Sequence, residues 1–76
     1  MDRDDLLIAL GAVNRYALSG TASEEELQGL SRTSERLGRA LARSGVVVRA
    51  RDHRLPGGGM IRLSWAEPGA RMDLRA

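Results

Sequence analysis

The sequence predicts one small α+β domain over residues 1–66, with two or three helices followed by a C-terminal antiparallel β-hairpin, and a flexible tail at 67–76. Three observations support this fold class. They are an apolar stripe at helical spacing near the amino terminus, a helix-capping signal after Gly20, and two alternating apolar segments after Gly45. At 76 residues the chain is near the size at which one apolar core only just offsets chain entropy.

The first helix is predicted from about Asp4 to Leu18. Its main stripe has i, i+4, i+7 and i+11 spacing and consists of Leu6, Leu10, Val13 and Ala17. A second stripe of Ile8, Ala12 and Tyr16 lies on a different side of the same helix. Either the rest of the domain wraps this second stripe or another molecule covers it. Because the domain is small, we expect it to form a partner interface, most simply that of a homodimer.

A second helix start is predicted within Thr21–Glu26, where two residue pairs have the spacing of a capping box. The continuation has two interpretations. The helix runs unbroken to Ser44, or it breaks near residues 29–31 and a new helix begins. Gly29 and the hydroxyl residues that follow it favour the break. In both cases Gly45 is suited to a left-handed C-terminal cap.

The strands of the hairpin are predicted at Val46–Arg51 and Met60–Trp65, which alternate and are partly β-branched. The side chains expected to face the core are Val46, Val48, Ala50, Ile61, Leu63 and Trp65. The arginines between them, Arg49, Arg51 and Arg62, are expected to face outward. The tip is predicted at Asp52–Gly59, and we expect its Pro-Gly-Gly-Gly sequence not to pack and to be mobile.

Four arginines share one face of the predicted basic helix, within a strip roughly 60° wide. This arginine ridge consists of Arg32, Arg36, Arg39 and Arg43. Leu30, Leu37 and Leu41 lie at roughly 140 to 180° from Arg32, so the helix can pack on its leucine side and still present charge. The hairpin adds Arg49, Arg51, Arg54 and Arg62. A polyanion is therefore the expected partner.

The charge is distributed unevenly along the chain. Residues 1–26 hold six acids against two arginines, a net charge of −4, whereas residues 27–76 hold ten arginines against four acids, a net charge of +6. Simpler interpretations remain open: the ridge is a solvated helix face, and the hairpin arginines are edge-strand charges that prevent aggregation. The use of arginine without lysine also fits the coding bias of a GC-rich genome.

From Gly29 to Val47 the sequence GLSRTSERLGRALARSGVV resembles the winged helix-turn-helix family, in the stretch where a turn, a recognition helix and a strand follow one another. The resemblance covers about residues 20–65. It implies that Arg32, Thr33, Arg36 and Arg39 enter the major groove of double-stranded DNA, and that the hairpin tip reaches the backbone or minor groove. The predicted nucleic-acid-binding residues are Arg32, Thr33, Arg36, Arg39, Arg43, Arg49, Arg51 and Arg54.

Other functions are not favoured. The chain has no cysteine and a single histidine, so we expect no metal site. Gly57–Gly59 lacks the lysine and the following helix of a phosphate loop. His53 is expected in a surface loop and Trp65 in the core. We therefore predict a cytoplasmic regulator of bacterial or phage type, without a cofactor, catalytic residues, a small-molecule substrate or a membrane contact. The alternative is a protein-binding regulator, such as an adaptor, antitoxin or phage-encoded inhibitor, that acts through the arginine ridge or the acidic amino-terminal third.

Overall fold

A computed structural model describes residues 1–67. It confirms an α+β fold with two helices and a two-stranded antiparallel sheet. The elements in chain order are α1 (Arg3–Ala17), α2 (Glu24–Arg43), β1 (Val48–Arg54) and β2 (Met60–Ala66). The predicted tail lies outside the described residues except for Glu67, whose N–H donates to the carbonyl oxygen of Val47 at 2.8 Å.

Helix α1 begins where Asp2 caps it, because the Asp2 side chain accepts a hydrogen bond from the Asp5 N–H at 2.9 Å. Its buried face differs from the predicted stripe at one position. Asn14 is fully buried, whereas Val13 is only half-buried. A polar side chain therefore occupies the centre of the face that α1 presents to the rest of the domain.

Helix α2 begins with the predicted capping box. The Ser23 N–H donates to Glu26 Oε1 at 2.8 Å, and the Glu26 N–H donates to Ser23 Oγ at 3.1 Å. The helix then continues to Arg43 without a break, so the predicted turn at residues 29–31 is wrong. The physical reason is that Ser31 and Ser34 donate hydrogen bonds to other elements and do not cap a new helix.

Strand β1 begins and ends later than predicted, at Val48 and Arg54, so the tip is shorter than predicted and is a closed turn. The Leu55 N–H donates to the carbonyl of Gly59 at 2.9 Å, and the Gly58 N–H donates to that of Leu55 at 3.0 Å. Gly58 and Gly59 have positive φ values of 100° and 86°, which glycine adopts without a steric penalty. Pro56 lies against Gly20, at the end of α1. Pro56 therefore has a neighbour that was not expected, whereas Gly57 and Gly58 are exposed with space around them, and the mobility of the tip stays a prediction.

The register of the hairpin places Arg54 opposite Met60, Arg51 opposite Leu63 and Arg49 opposite Trp65. Directly opposed residues lie on the same face of a sheet. Contrary to the prediction, Val48 and Ala50 therefore do not share a face with Leu63 and Trp65. Val48 still packs against the core, but Ala50 is exposed. The length of the tip decides this, because the turn sets the register and a shift of one residue exchanges the faces.

The core consists of two apolar clusters. The first combines α1 and α2 through Leu6, Leu10 and Leu41, with Val46 and Val48 packed against it. The second joins the carboxyl end of α1 to the sheet and consists of Ala17, Ile61 and Leu63, with Leu18, Leu27, Leu30, Leu55 and Trp65 at its border. Trp65 is half-buried there, in agreement with its predicted place in the core.

In the part of the chain that the structure describes, neither helix combines the length and the apolar composition needed to span a bilayer.

Candidate nucleic-acid interface

Helix α2 is attached to β2 by a buried ring of three hydrogen bonds, which we call the polar ring (Asn14, Ser34 and Ser64). The Ser64 N–H donates to Ser34 Oγ at 2.8 Å, and the Ser34 hydroxyl donates to Asn14 Oδ1 at 2.9 Å. Asn14 Nδ2 completes the ring by donating to the Ser64 carbonyl oxygen at 2.7 Å. Asn14 and Ser34 are fully buried, so these bonds satisfy groups that would be costly to leave unpaired.

A second bond from α2 to β2 lies beside the polar ring. The Ser31 hydroxyl donates to the carbonyl oxygen of Arg62 at 2.8 Å. Gly38 lets the same face of α2 approach closely, because a Cβ there would lie 2.8 Å from Ser64 Cβ. These contacts fix α2 on the sheet and therefore determine which way its opposite face points.

The opposite face of α2 carries the arginine ridge. All four of its arginines are exposed, whereas Leu41 on the other side is fully buried. The expectation that residues 32–43 are helical, with leucines inward and guanidinium groups outward, is confirmed. The ridge spans eleven residue steps, or roughly 16 Å of helix. Thr33 is also exposed, on the flank of the ridge.

The ridge arginines differ in their ion pairs. Arg39 NH2 lies 2.8 Å from Glu35 Oε2, one turn earlier in the helix, and both side chains are more than half exposed. Such a pair contributes only a few tenths of a kcal/mol (about 0.3–0.5) and leaves the guanidinium accessible. Within residues 1–67, Arg32, Arg36 and Arg43 have no carboxylate within 4.0 Å. Three ridge charges are therefore not neutralised by nearby acids in the described part of the chain.

Most hairpin arginines have a partner inside the domain. The carboxylate of Glu67 lies 2.9 Å from Arg49 Nε and 3.7 Å from Arg51 NH2. The contact is electrostatic rather than an aligned hydrogen bond, because that Glu67 oxygen accepts no hydrogen bond from the described residues. Arg54, by contrast, has no acidic partner among residues 1–67.

Arg62 binds Asp52 across the hairpin. Its Nε and NH2 atoms lie 2.9 and 3.3 Å from the two carboxylate oxygens. These hydrogen bonds lower the pKa of Asp52 and raise that of Arg62. The positive charge that the sequence concentrates in the hairpin is thus partly balanced by Asp52 and Glu67.

A groove of about 740 Å³ separates the amino-terminal half of α2 from the hairpin tip. Arg32 and Arg62 line it together with apolar residues such as Leu27 and Leu55. The structure therefore brings the amino-terminal end of the arginine ridge next to the hairpin, while Arg43 lies at the far end of α2.

The second stripe of α1 is only partly available to a partner. Ile8 is 68% exposed and Ala12 is exposed, but the Tyr16 hydroxyl donates to both oxygens of Glu26 at 3.3 Å. Partial desolvation and the nearby carboxylate raise the pKa of Tyr16. Hydrogen bonds from the backbone and side chain of Ser23 lower the pKa of Glu26.

His53 is not in a loop, so that expectation is wrong. It lies in β1, half-buried, and its Nε2 accepts a hydrogen bond from Trp65 Nε1 at 2.7 Å. The two rings meet edge to face, with centroids 5.5 Å apart. The imidazole thus orients the single tryptophan of the chain.

Sequence reasoning did not identify the anchoring roles of Asn14, Ser31, Ser64 and Glu67. One signal was present for Asn14, because it follows Leu10 by four residues and precedes Ala17 by three, within the apolar face. No family model, curated protein or solved structure matches the chain.

Proposed function

We propose that the protein is a small regulator that binds double-stranded DNA by laying the exposed face of α2 against the phosphate backbone. The observation that carries this proposal is the set of three exposed guanidinium groups, Arg32, Arg36 and Arg43, without nearby carboxylates among residues 1–67. Their helix is held to β2 by the polar ring. Because the helix is already fixed, its backbone loses no further freedom on binding, and the planar guanidinium loses less entropy per hydrogen bond than a lysine ammonium does.

The unbroken α2 favours contacts with the backbone over base reading by a helix-turn-helix. A recognition helix presents its amino-terminal residues to the bases, but α2 begins with three consecutive glutamates, Glu24–Glu26, which phosphate repels. The carboxyl-terminal part of α2 is the positive part. In this proposal the protein resembles a winged helix only because one helix and one hairpin contact the DNA, and no recognition helix reads the bases.

Within the hairpin, Arg54 is the arginine best suited to a phosphate, because Arg49, Arg51 and Arg62 already lie next to carboxylates. Thr33 beside the ridge and Arg39 within it are also exposed, and both are available for further backbone contacts. The proposed DNA surface therefore consists mainly of Arg32, Arg36, Arg39 and Arg43, and the hairpin contributes Arg54.

The test is a salt titration of binding to a labelled random duplex, measured by fluorescence anisotropy. Four or five neutralised phosphates, one for each arginine of the proposed surface with or without Arg39, predict a slope of log K against log salt of about −3.6 to −4.5. The triple variant Arg32→Ala, Arg36→Ala, Arg43→Ala should reduce this slope by about 3. The matched control is Arg15→Ala, which removes an equally exposed arginine from α1.

Two results would contradict the proposal. One is the absence of duplex binding by the unmodified protein at about 50 mM salt, where phosphate contacts are strong. The other is a triple variant that keeps the affinity and salt slope of the Arg15→Ala control.

A protein partner is the second candidate function, and the exposed Ile8 on α1 favours it. In this alternative the arginine ridge binds an acidic protein surface and Ile8 with Ala12 binds an apolar one. The acidic amino-terminal third is less suited to that role, because Asp2 and Glu26 already cap the two helices. A specific protein that co-purifies and is lost in the ridge variant, without duplex binding, would favour this alternative.

A further inference from the structure

Strand β1 has an outer edge whose backbone groups are unpaired. In an antiparallel pair the N–H and C=O groups of successive residues point alternately toward the partner strand and away from it. The N–H and C=O of Ser64 bind Ser34 and Asn14, so they point away from β1. Ala50 lies opposite Ser64, and its own N–H and C=O therefore point away from β2.

The same reasoning applies one pair further along. The Arg62 carbonyl accepts a hydrogen bond from Ser31 on the α2 side, and Arg62 lies opposite Asp52. The backbone groups of Asp52 thus also point outward from the hairpin. No group of residues 1–67 forms a hydrogen bond with the N–H or C=O of Ala50 or Asp52 on that side. The side chains of Asn14, Ser31 and Ser34 bind the outward backbone groups of β2, whereas the outward backbone groups of Ala50 and Asp52 in β1 have no such partners within residues 1–67.

Proteins protect such an edge with a proline, a bulge, a cover or charged side chains, and β1 has only the charges of Arg49, Arg51, Asp52 and Arg54. Strand β1 contains no proline and pairs with β2 over seven consecutive residues without a bulge. Residues 49–52 are all exposed. The open edge is therefore a place where a further strand can add.

A second copy of the chain is a poor occupant. Outward-pointing groups come from residues 48, 50, 52 and 54, which limits the symmetric antiparallel registers that self-pairing can use. Three such registers pair five or more residues of β1 with the same strand of a second copy. Each of the three registers places like charges directly opposite each other. The juxtaposed residues are Arg49 with Arg51, Arg51 with its own copy, or Asp52 with its own copy. Like charges directly opposite each other destabilise a strand pair.

An acidic strand would instead place negative charges opposite the arginines of β1. Arg49 and Arg51 lie on the same face of the sheet, and the Glu67 carboxylate already lies 2.9 and 3.7 Å from them. Glu67 directly follows β2, so one carboxylate beside β1 reaches both guanidinium groups, and its single negative charge leaves one of their two positive charges unbalanced. Arg54, on the other face, has no acidic partner within residues 1–67. We propose that the outer edge of β1 binds an extended acidic segment of a partner protein as a third strand of the sheet.

This proposal shares only Arg54 with the proposed DNA surface, because its other contacts lie on the edge of β1 and not on the arginine ridge. The probe is a short synthetic peptide with capped ends in which glutamate alternates with threonine or valine. Its controls are the same peptide with lysine in place of glutamate, and two forms with methylated backbone nitrogens. One form is methylated on the nitrogens that face β1 and the other on the alternate nitrogens.

Binding to the unmodified protein is followed by NMR. The acidic peptide should shift the amide signals of Ala50 and Asp52 and slow their hydrogen exchange, while that of Ser64 stays unchanged. Methylation on the nitrogens that face β1 should abolish binding, and methylation on the alternate nitrogens should leave it intact. The lysine peptide should bind at least about tenfold more weakly, because like charges are opposed.

The matching protein variants are Ala50→Pro and Ala50→Val. Proline at an edge position whose N–H faces solvent removes only that donor, whereas valine keeps it. Ala50→Pro should weaken peptide binding at least about tenfold and Ala50→Val by less than about twofold. Trp65 fluorescence checks the fold of each variant. If Ala50→Pro does not fold, the two methylated peptides decide the question with the unmodified protein.

Three results would overturn the proposal. They are the absence of acidic-peptide binding at about millimolar concentration, equal binding of both methylated peptides, and amide shifts that fall on α2 rather than β1. Shifts of Ala50 and Asp52 that duplex DNA produces and the acidic peptide does not would assign this edge to nucleic acid instead.

Discussion

Asn14, Ser34 and Ser64 each use a polar group that the apolar core around them could not satisfy. Each hydrogen bond in the polar ring joins residues that are distant in sequence. Asn14 donates to one partner and accepts from the other, so its removal affects both. A small side chain there leaves the buried Ser64 carbonyl without a donor and the Ser34 O–H without an acceptor, which is more costly than the loss of one exposed hydrogen bond.

We therefore predict that Asn14→Ala lowers the free energy of unfolding by about 2–4 kcal/mol. Ser31→Ala is the matched control, since it also removes a hydrogen bond to a β2 carbonyl but at a half-buried position, and should cost about 1 kcal/mol. Urea denaturation followed by Trp65 fluorescence measures both. An equal decrease in the free energy of unfolding in the two variants would show that the polar ring stabilises the fold no more than a half-buried hydrogen bond does.

At the scale of the elements, α2 is the central one, because it contacts α1 and both strands. Two of its glycines lie in opposite environments. A Cβ at Gly38 would lie 2.8 Å from Ser64 Cβ and 3.1 Å from Val48 Cγ1, whereas a Cβ at Gly29 would have no neighbour within 4 Å. Gly38 is therefore required for the close approach of α2 to the sheet, and Gly29 is not.

This difference gives opposite predictions for the same substitution in one helix. Gly29→Ala should raise the free energy of unfolding by about 0.5–1 kcal/mol, because alanine is the better helix former. Gly38→Ala should lower it by about 1–3 kcal/mol, because the added methyl group forces α2 away from β2. Urea denaturation of the two variants is the measurement. A stabilised Gly38→Ala variant would contradict the tight contact.

At the scale of the whole molecule, the described residues have three distinct surfaces: the arginine ridge on α2, the open edge of β1, and the exposed Ile8 region of α1. The first two are charged, and the third is apolar. Among the described residues, no contact covers Ile8, which is 68% exposed on the outer side of α1. Helix α1 is thus the element on which we expect a homodimer to form.

We predict that the protein is a dimer at tens of micromolar and that Ile8→Asp makes it a monomer, because a charge cannot be buried at an apolar interface. Met60→Asp is the matched control: Met60 is 61% exposed but lies on the hairpin, so this variant should stay dimeric. Light scattering of the three proteins is the measurement. An unmodified protein that is already monomeric would contradict the role of Ile8, Ala12 and Tyr16.

The local features of the fold were predictable from the sequence. The capping box at Ser23 and Glu26 needs only neighbouring residues, and so does the alternation that marks Met60–Trp65 as a strand. The outward direction of the arginine ridge was also predictable, because helical periodicity alone places it opposite Leu41. In each case the signal and its effect lie within one element.

Tertiary contacts decided what these local signals left open. Ser31 and Ser34 suit the start of a new helix, but β2 offers them partners, and α2 therefore stays unbroken. The length of the tip determines which residues of β1 lie beside Trp65, and Glu67 partly balances the charge of Arg49 and Arg51. These outcomes depend on groups that are distant in the chain. A hydroxyl or a guanidinium can bind many kinds of acceptor, so its partner is determined only when the fold brings one within hydrogen-bonding distance.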